Sequence, residues 1–260
     1  MNLTVPPEIG RAATAEIRKI TTSRLGRQAV PVAAVLGLVV GGISALRGTG
    51  PQPHATLATG TASVGLYIAL FVTLAAAAIL AALAAGDEFR HQSLPLTALF
   101  TTDRDLLLGA KFAVSALYAL VLAVSVELGA LLGMLAAGRH RIEFGLRLLS
   151  VFGGGLLAVV CWGLIGTALG LLFRSPGPAI TTLILWPLIA EPALWYVARF
   201  VGVPGFAVLF PLSATVGTVM VGSFPKSHFL APTAASAIIL VLWTAALSAA
   251  AWWYVRQRDL

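Results

Sequence analysis

Blocks of about 18 or more apolar residues with few charges recur along this 260-residue chain, and no other feature restricts its fold as strongly. At 1.5 Å per residue, a helix of that length crosses a hydrocarbon layer about 30 Å thick. Only 10% of the residues are charged and 58% are hydrophobic, whereas a soluble domain carries roughly 25% charged residues. The sequence therefore predicts an all-α integral membrane protein of six transmembrane helices, with an N-terminal amphipathic interfacial helix and a re-entrant outer segment between helices five and six. A soluble enzyme is excluded.

A formal net charge of +7 would suggest nucleic acid in a soluble protein, but here the basic residues flank apolar blocks and read as topology signals. No nucleic-acid partner is expected, and the partner surface is membrane lipid. The single cysteine, Cys161, lies inside an apolar block, where it reads as a small buried apolar residue. About 29 polar or mixed residues precede the first apolar run, unlike a cleavable signal peptide, so the first span should be retained.

Residues 1–28 are expected to form the cytoplasmic interfacial helix. In EIGRAATAEIRKITTSRL, Ile9, Ala13, Ile17 and Ile20 fall on one helical face with Arg11 and Arg18 opposite, and Lys19 beside them, the pattern of a basic helix lying on a membrane surface. Pro31 argues against its running unbroken into the first span. Residues 29–260 are read as one transmembrane domain with spans at about 29–46, 61–85, 106–137, 148–173, 179–198 and 233–255. The second span ends in Asp87, Glu88, Arg90 and His91. Residues 86–105 then form a cytoplasmic segment in which Ser93 can cap a short helix, and Thr102 with Asp105 has capping-box spacing for the third span. Residues 191–232 are too apolar for a free loop yet carry Pro192, Pro204, Pro211, Pro225 and Pro232. Non-helical backbone survives at membrane depth only where protein or a watery cavity satisfies it, so a re-entrant pair of short helices is expected there. Lys and Arg number eleven on the side of the termini and six on the other, which predicts both termini in the cytoplasm.

The sequence has no G-x-x-x-x-G-K-[ST]; Gly109-Ala110-Lys111 is followed by Phe112. Nucleotide hydrolysis would thus belong to another chain. There is no G-x-S-x-G, H-E-x-x-H or cysteine-rich metal spacing, and the four histidines are scattered, so no metal site and no catalytic residue is assigned. Gly37 with Gly41, Gly129 with Gly133 and Gly166 with Gly170 have G-x-x-x-G spacing, which serves close helix approach within the chain or a dimer seam. Glu127 is the only acid deep in a confident span. Such a residue is either a polar point on a substrate path or a hydrogen-bonded residue between helices. Glu191, near Trp186, Trp195 and Tyr196, is either a cap of a broken helix or a gate, with Trp186 beside it.

Residues 86–112, GDEFRHQSLPLTALFTTDRDLLLGAKF, resemble the cytoplasmic segment between the second and third spans of type 2 ABC export permeases. The likeness rests on Glu88, Phe89 and Arg90, on the Leu-rich short helix with Leu94, Leu96 and Leu99, on the turn Thr102, Asp103 and Arg104, and on Ala110 and Lys111. AEIRKITTSRLGR at 15–27 is similar to that family's basic N-terminal helix, and Leu-Phe-Arg-Ser at residues 172–175 and PLSA at 211–214 also match. Many relatives have proline where this chain has Asp103. The resemblance implies a permease subunit in a bacterial inner membrane that pairs with a second permease copy, read as a homodimer, and docks two ABC ATP-binding subunits. ATP and Mg would be bound by those partners, with no cofactor on this chain. The residues Glu88 to Arg104 named above would then form the coupling contact, and the cargo would be a drug, an antibiotic or a lipid. Two other classes compete: a non-transporting scaffold or sensor that uses the same ATPase, and an ion-coupled secondary transporter. The last calls for paired broken helices and several intramembrane acids, and Glu127 stands alone.

Overall fold

The computed structural model describes residues 7–51, 57–90, 104–138, 142–143, 145–224 and 227–257, with the backbone alone at 7–9, 90 and 104. Among these the chain is helical, with no strand. Six helices are long and apolar enough to cross a membrane: Arg24–Arg47, Thr61–Phe89, Asp105–Gly138, Leu146–Phe173, Pro176–Phe200 and Thr233–Gln257. We label the helices α1 (Pro7–Thr22), α2 (Arg24–Arg47), α3 (Val64–Arg90), α4 (Arg104–Gly138), α5 (Leu146–Phe173), α6 (Pro176–Phe200), α7 (Pro211–Val219) and α8 (Thr233–Gln257).

The break between α1 and the first long helix falls at Ser23, eight residues before Pro31, which sits inside α2 on an exposed face. Ser23 is extended (φ −69°, ψ 138°), and its Oγ accepts from the Gly26 N–H at 3.0 Å, so a serine N-cap restarts the helix. A Cβ on Gly26 would stand 2.3 Å from the Ile20 carbonyl oxygen. Glycine is what lets the two helices meet in so tight an elbow.

Small residues decide which long helices touch. A Cβ on Gly37 would stand 2.1 Å from the Val126 carbonyl oxygen, and one on Gly129 would stand 2.0 Å from that of Ala34. Gly41 faces Ala130, and Gly133 faces Leu38 and Gly42. The first two G-x-x-x-G pairs therefore close on each other and make α2 against α4 the most extensive helix pair. The third does the same between α5 and α3, where Gly166 faces Ala78 and Gly170 faces Ala82. All three motifs serve intrachain contact, where backbones approach closely enough for dispersion to hold them without large side chains. Over the most apolar stretch of each helix, α5 is 61% buried and α6 only 11%. α5 is thus the central helix and α6 a peripheral one.

The fifth long helix runs unbroken past Glu191, where one reading of the sequence has a broken helix capped by that residue. Residues Trp186–Ala190 form a π turn between Pro176–Leu185 and Glu191–Phe200. Pro187 and Pro192 remove two ladder donors, and widening the turn absorbs the loss without ending the helix. After Gly202 (φ +83°) come a 3-10 helix, Pro204–Leu209, and then α7, which packs on α5 and α8.

Candidate functional site

Four charged side chains meet where the end of α1, the end of α3 and the start of α4 converge. Lys19 Nζ lies 2.7 Å from Glu16 Oε1 and 2.6 Å from Glu88 Oε1. Lys111 Nζ lies 3.2 Å from Glu16 Oε2 and 2.5 Å from the same oxygen of Glu88. Glu16, Glu88 and Lys111 are buried, while Lys19 keeps 41% of its side chain exposed. Each ammonium bridges both carboxylates, so two positive and two negative groups offset one another, which is what permits charges to be buried together. Burial pushes the Glu16 carboxyl up, but the charges of and hydrogen bonds to Lys111 and Lys19 outweigh it and hold the group below its ordinary value. Burial likewise pushes Lys19 down, and Glu88 and Glu16 outweigh it and hold the amine above its ordinary value.

The sequence pointed to Glu88 as an outward contact, and the structure folds it inward. Glu16 and Lys111 were missed as partners because they are 95 residues apart. One signal was available. Lysine occurs three times in the chain, and Lys111 opens an apolar helix, where a cation needs a counter-charge.

Two further clamps lie beside the knot. Arg174, in a left-handed conformation (φ 50°) at the end of α5, places its guanidinium over the rings of Phe89, at 5.5 Å, and Tyr254, at 5.4 Å. This cation–π sandwich joins the ends of α3, α5 and α8. Asp105 accepts from Trp252 Nε1 at 2.9 Å and pairs with Arg256 at 3.4 Å, while Trp252 stacks on Phe112. Of the remaining predicted coupling residues, Leu94, Leu96, Leu99 and Asp103 lie outside the described residues. Arg90 and Arg104 end and begin their helices. On α1, Arg11, Ile17, Arg18 and Lys19 are exposed and Ile20 is half-buried. Among the described side chains of α1, Glu16 is the one buried against the bundle, while the side chain of Ile9 lies outside the described residues.

The two intramembrane acids have different surroundings. Glu191 is fully buried and sits on α6, yet it serves α7. Its Oε1 accepts from the Ser213 N–H at 2.7 Å, and its Oε2 accepts from the Leu212 N–H at 2.9 Å and from Trp186 Nε1 at 3.2 Å. The residue before α7 is Phe210, which has no side-chain oxygen to cap it. Glu191 supplies that cap from another helix. Trp186 is thus a donor to the cap, whereas Trp195 stacks on Phe229. Glu127 on α4 is buried against α5, where a Cβ on Gly155 would stand 2.5 Å from its Oε1. That oxygen has no hydrogen-bond partner among the described residues.

Among the described residues no group of three or more His, Cys, Asp or Glu side chains could hold a metal ion. Compared with known proteins, the chain matches no family model and no curated sequence.

Proposed function

We propose that this chain is the transmembrane permease subunit of an ATP-driven ABC exporter, moving an apolar or amphipathic compound out of the cytoplasm or the inner leaflet. In this reading it sits in a bacterial inner membrane as a homodimer with both termini cytoplasmic. Two separate ATP-binding subunits hold the ATP and Mg.

The observation that carries the reading is the charge knot. It ties α1, the end of α3 and the start of α4 into one block, and the last two flank residues 91–103, the segment resembling the coupling helix of type 2 exporters. A partner pushing on that segment would move three helices together, and the Phe89–Arg174–Tyr254 sandwich would pass the displacement to α5 and α8. Helices held by such links shift as packed rigid elements. α1, with Ile17, Arg11 and Arg18 outward, suits a membrane surface. The 3-10 helix and α7, fastened by Glu191, suit a lid at the opposite face, where short helices at membrane depth need internal partners.

The test is affinity purification of the full chain from native membranes, followed by ATPase assay of what accompanies it. An ATP-hydrolysing subunit should co-purify and should be lost when residues 93–100 are replaced by a Gly/Ser stretch of equal length. Absence of any ATP-hydrolysing partner overturns the reading. A bound ATPase with no substrate-stimulated hydrolysis in proteoliposomes would move the chain to the scaffold or sensor class.

A further inference from the structure

A cavity of about 610 Å³ opens beside the charge knot, in the angle between the α1–α2 elbow, α3 and α4. The volume lies in the range of small-molecule sites, roughly 300–1,000 Å³. Its inner wall is Ala77, Leu80, Ala81 and Ala84 of α3 with Ala119 of α4, and its charged lining is Lys19, Arg24, Asp87 and Glu88. The polar and apolar parts are segregated along the helix. From Ala77 to Glu88, α3 runs about 16 Å, close to one leaflet of a hydrocarbon core about 30 Å thick. The charges lie at the end where the termini emerge, and the alanines and leucines lead inward toward mid-membrane. A site with that polarity fits one amphiphile standing as it stands in the leaflet.

The walls are fixed before any ligand arrives. Tyr118 on α4 donates through its hydroxyl to the Gly26 carbonyl at 2.7 Å, Ser23 caps α2, and Gly26 allows the elbow to close against Ile20. The charges at the mouth then select the headgroup. Lys19 and Glu88 are bound into the knot. Arg24 and Asp87 have no salt bridge, with each other or with any other described residue. Among the described residues they are thus a cation and an anion outside the knot, and together they complement a zwitterion, the guanidinium taking a phosphate and the carboxylate taking an ammonium.

We propose that this slot takes one inner-leaflet phospholipid with a zwitterionic amine headgroup, its phosphate on Arg24, its amine on Asp87 and an acyl chain along α3, as the amphiphile the exporter takes up. The assignment as cargo rests on the export reading; the binding site does not.

The experiment uses the full chain reconstituted in vesicles of equal parts phosphatidylethanolamine and phosphatidylglycerol, re-extracted in mild detergent and weighed by native mass spectrometry. One phosphatidylethanolamine per chain should be retained in preference to phosphatidylglycerol. A diazirine-bearing phosphatidylethanolamine should label the peptides holding residues 77–84 and 115–119. Ala81→Trp and Ala84→Trp, which fill the slot, should reduce retention about tenfold or more, a loss of about 1.4 kcal/mol per tenfold. Asp87 is half-buried at the mouth and takes no part in the knot's ion pairs, and Asp87→Asn keeps its size. It should reduce the preference for the amine headgroup by roughly two- to fivefold, the scale of an ion pair that water still reaches. Retention unchanged in both tryptophan variants overturns the slot. So does a photoprobe at residue 81 that crosslinks a second copy of the chain instead of lipid, and phosphatidylglycerol retained as well as phosphatidylethanolamine overturns the headgroup assignment. Because none of these readouts requires ATP, they test the site alone; retained lipid that is not flipped when the co-purified ATP-hydrolysing subunit and ATP are added would remove the cargo assignment and leave the site standing, while absence of any such subunit would defeat the export reading.

Discussion

The Glu191 carboxylate does for α7 what Phe210 cannot, and this makes it the residue on which the segment after α6 depends. Glu191→Ala leaves the Leu212 and Ser213 amides and the Trp186 indole without their acceptor. Losing a helix cap made of charge-assisted bonds should cost roughly 2 kcal/mol. Hydrogen exchange should rise at residues 212–215 while α2 and α4 are unaffected; unchanged exchange there would show that α7 holds itself. Glu191→Gln, which keeps one acceptor oxygen, should fall between. The knot responds to the same reasoning. Lys111→Met takes one of the knot's two ammoniums from the buried carboxylates of Glu16 and Glu88, a loss of about 3–5 kcal/mol by the cost of breaking buried pairs. Glu16, held below its ordinary 4.5, contributes stability above that value and loses it as pH falls through the lower folded value. Lys19, held above its ordinary 10.5, contributes below that value and loses it as pH rises through the higher folded one. A spin label at Ile17→Cys, in a Cys161→Ala background, should therefore have constant mobility from pH 5 to pH 10 and become mobile beyond either end. A mobility change near pH 7 would mean that α1 is not held by these charges.

Among the helices, the glycines of α5 give a sharp pair. Gly154 faces the Thr218 carbonyl oxygen, which a Cβ would approach to 2.2 Å, while its neighbour Gly153 meets nothing within 4 Å. Gly153→Ala should be neutral or stabilising by about 0.5–1 kcal/mol through helix propensity. Gly154→Ala should push α7 off α5 and lower the thermal midpoint in detergent; equal midpoints for the two would contradict this contact. Sequence alone could tell that α5 is a long apolar helix rich in glycine, because length and composition are local properties. It could not tell that Gly154 touches residue 218 and Gly153 nothing, since that depends on where a distant short helix lands. The same division runs through the site. The clustering of Glu88, Phe89 and Arg90 at a helix end is visible in one decapeptide, and so is the basic character of α1. That Glu88 turns inward to Lys111, that Phe89 lies under Arg174, and that Glu191 caps a helix begun twenty residues later are tertiary facts. The fifth helix was misread for a subtler reason. Two prolines end most helices, but a π turn accommodates them here, and no propensity reports that choice.

For the molecule as a whole, the distribution of basic residues and the internal contacts bear on one question, which end faces the cytoplasm. Three of the six basic residues at the end away from the termini are Arg139, Arg141 and Arg147, and on charge alone they weaken the predicted orientation. Arg147 has another occupation. Its Nη1 donates to the Ala58 carbonyl at 3.1 Å, and the Ala58 N–H donates to Ser223 Oγ at 3.1 Å. The guanidinium thus fastens the loop after α2 to the start of α5, while the Ala58 N–H ties that loop to the turn after α7, and the first is a structural task for Arg147 whichever way the chain inserts. Discounting it strengthens the excess at the termini end, where Arg11, Arg18, Lys19, Arg24 and Arg27 precede the first span. In a Cys161→Ala background, a membrane-impermeant maleimide applied to intact cells should then label Glu143→Cys and leave Arg18→Cys unlabelled until the cells are opened. Adding Arg147→Gln should leave that pattern intact while increasing hydrogen exchange at residues 57–60. Labelling of Arg18→Cys in intact cells would invert the topology. A switch of pattern caused by Arg147→Gln would mean that this arginine orients the chain as well as fastening its loop.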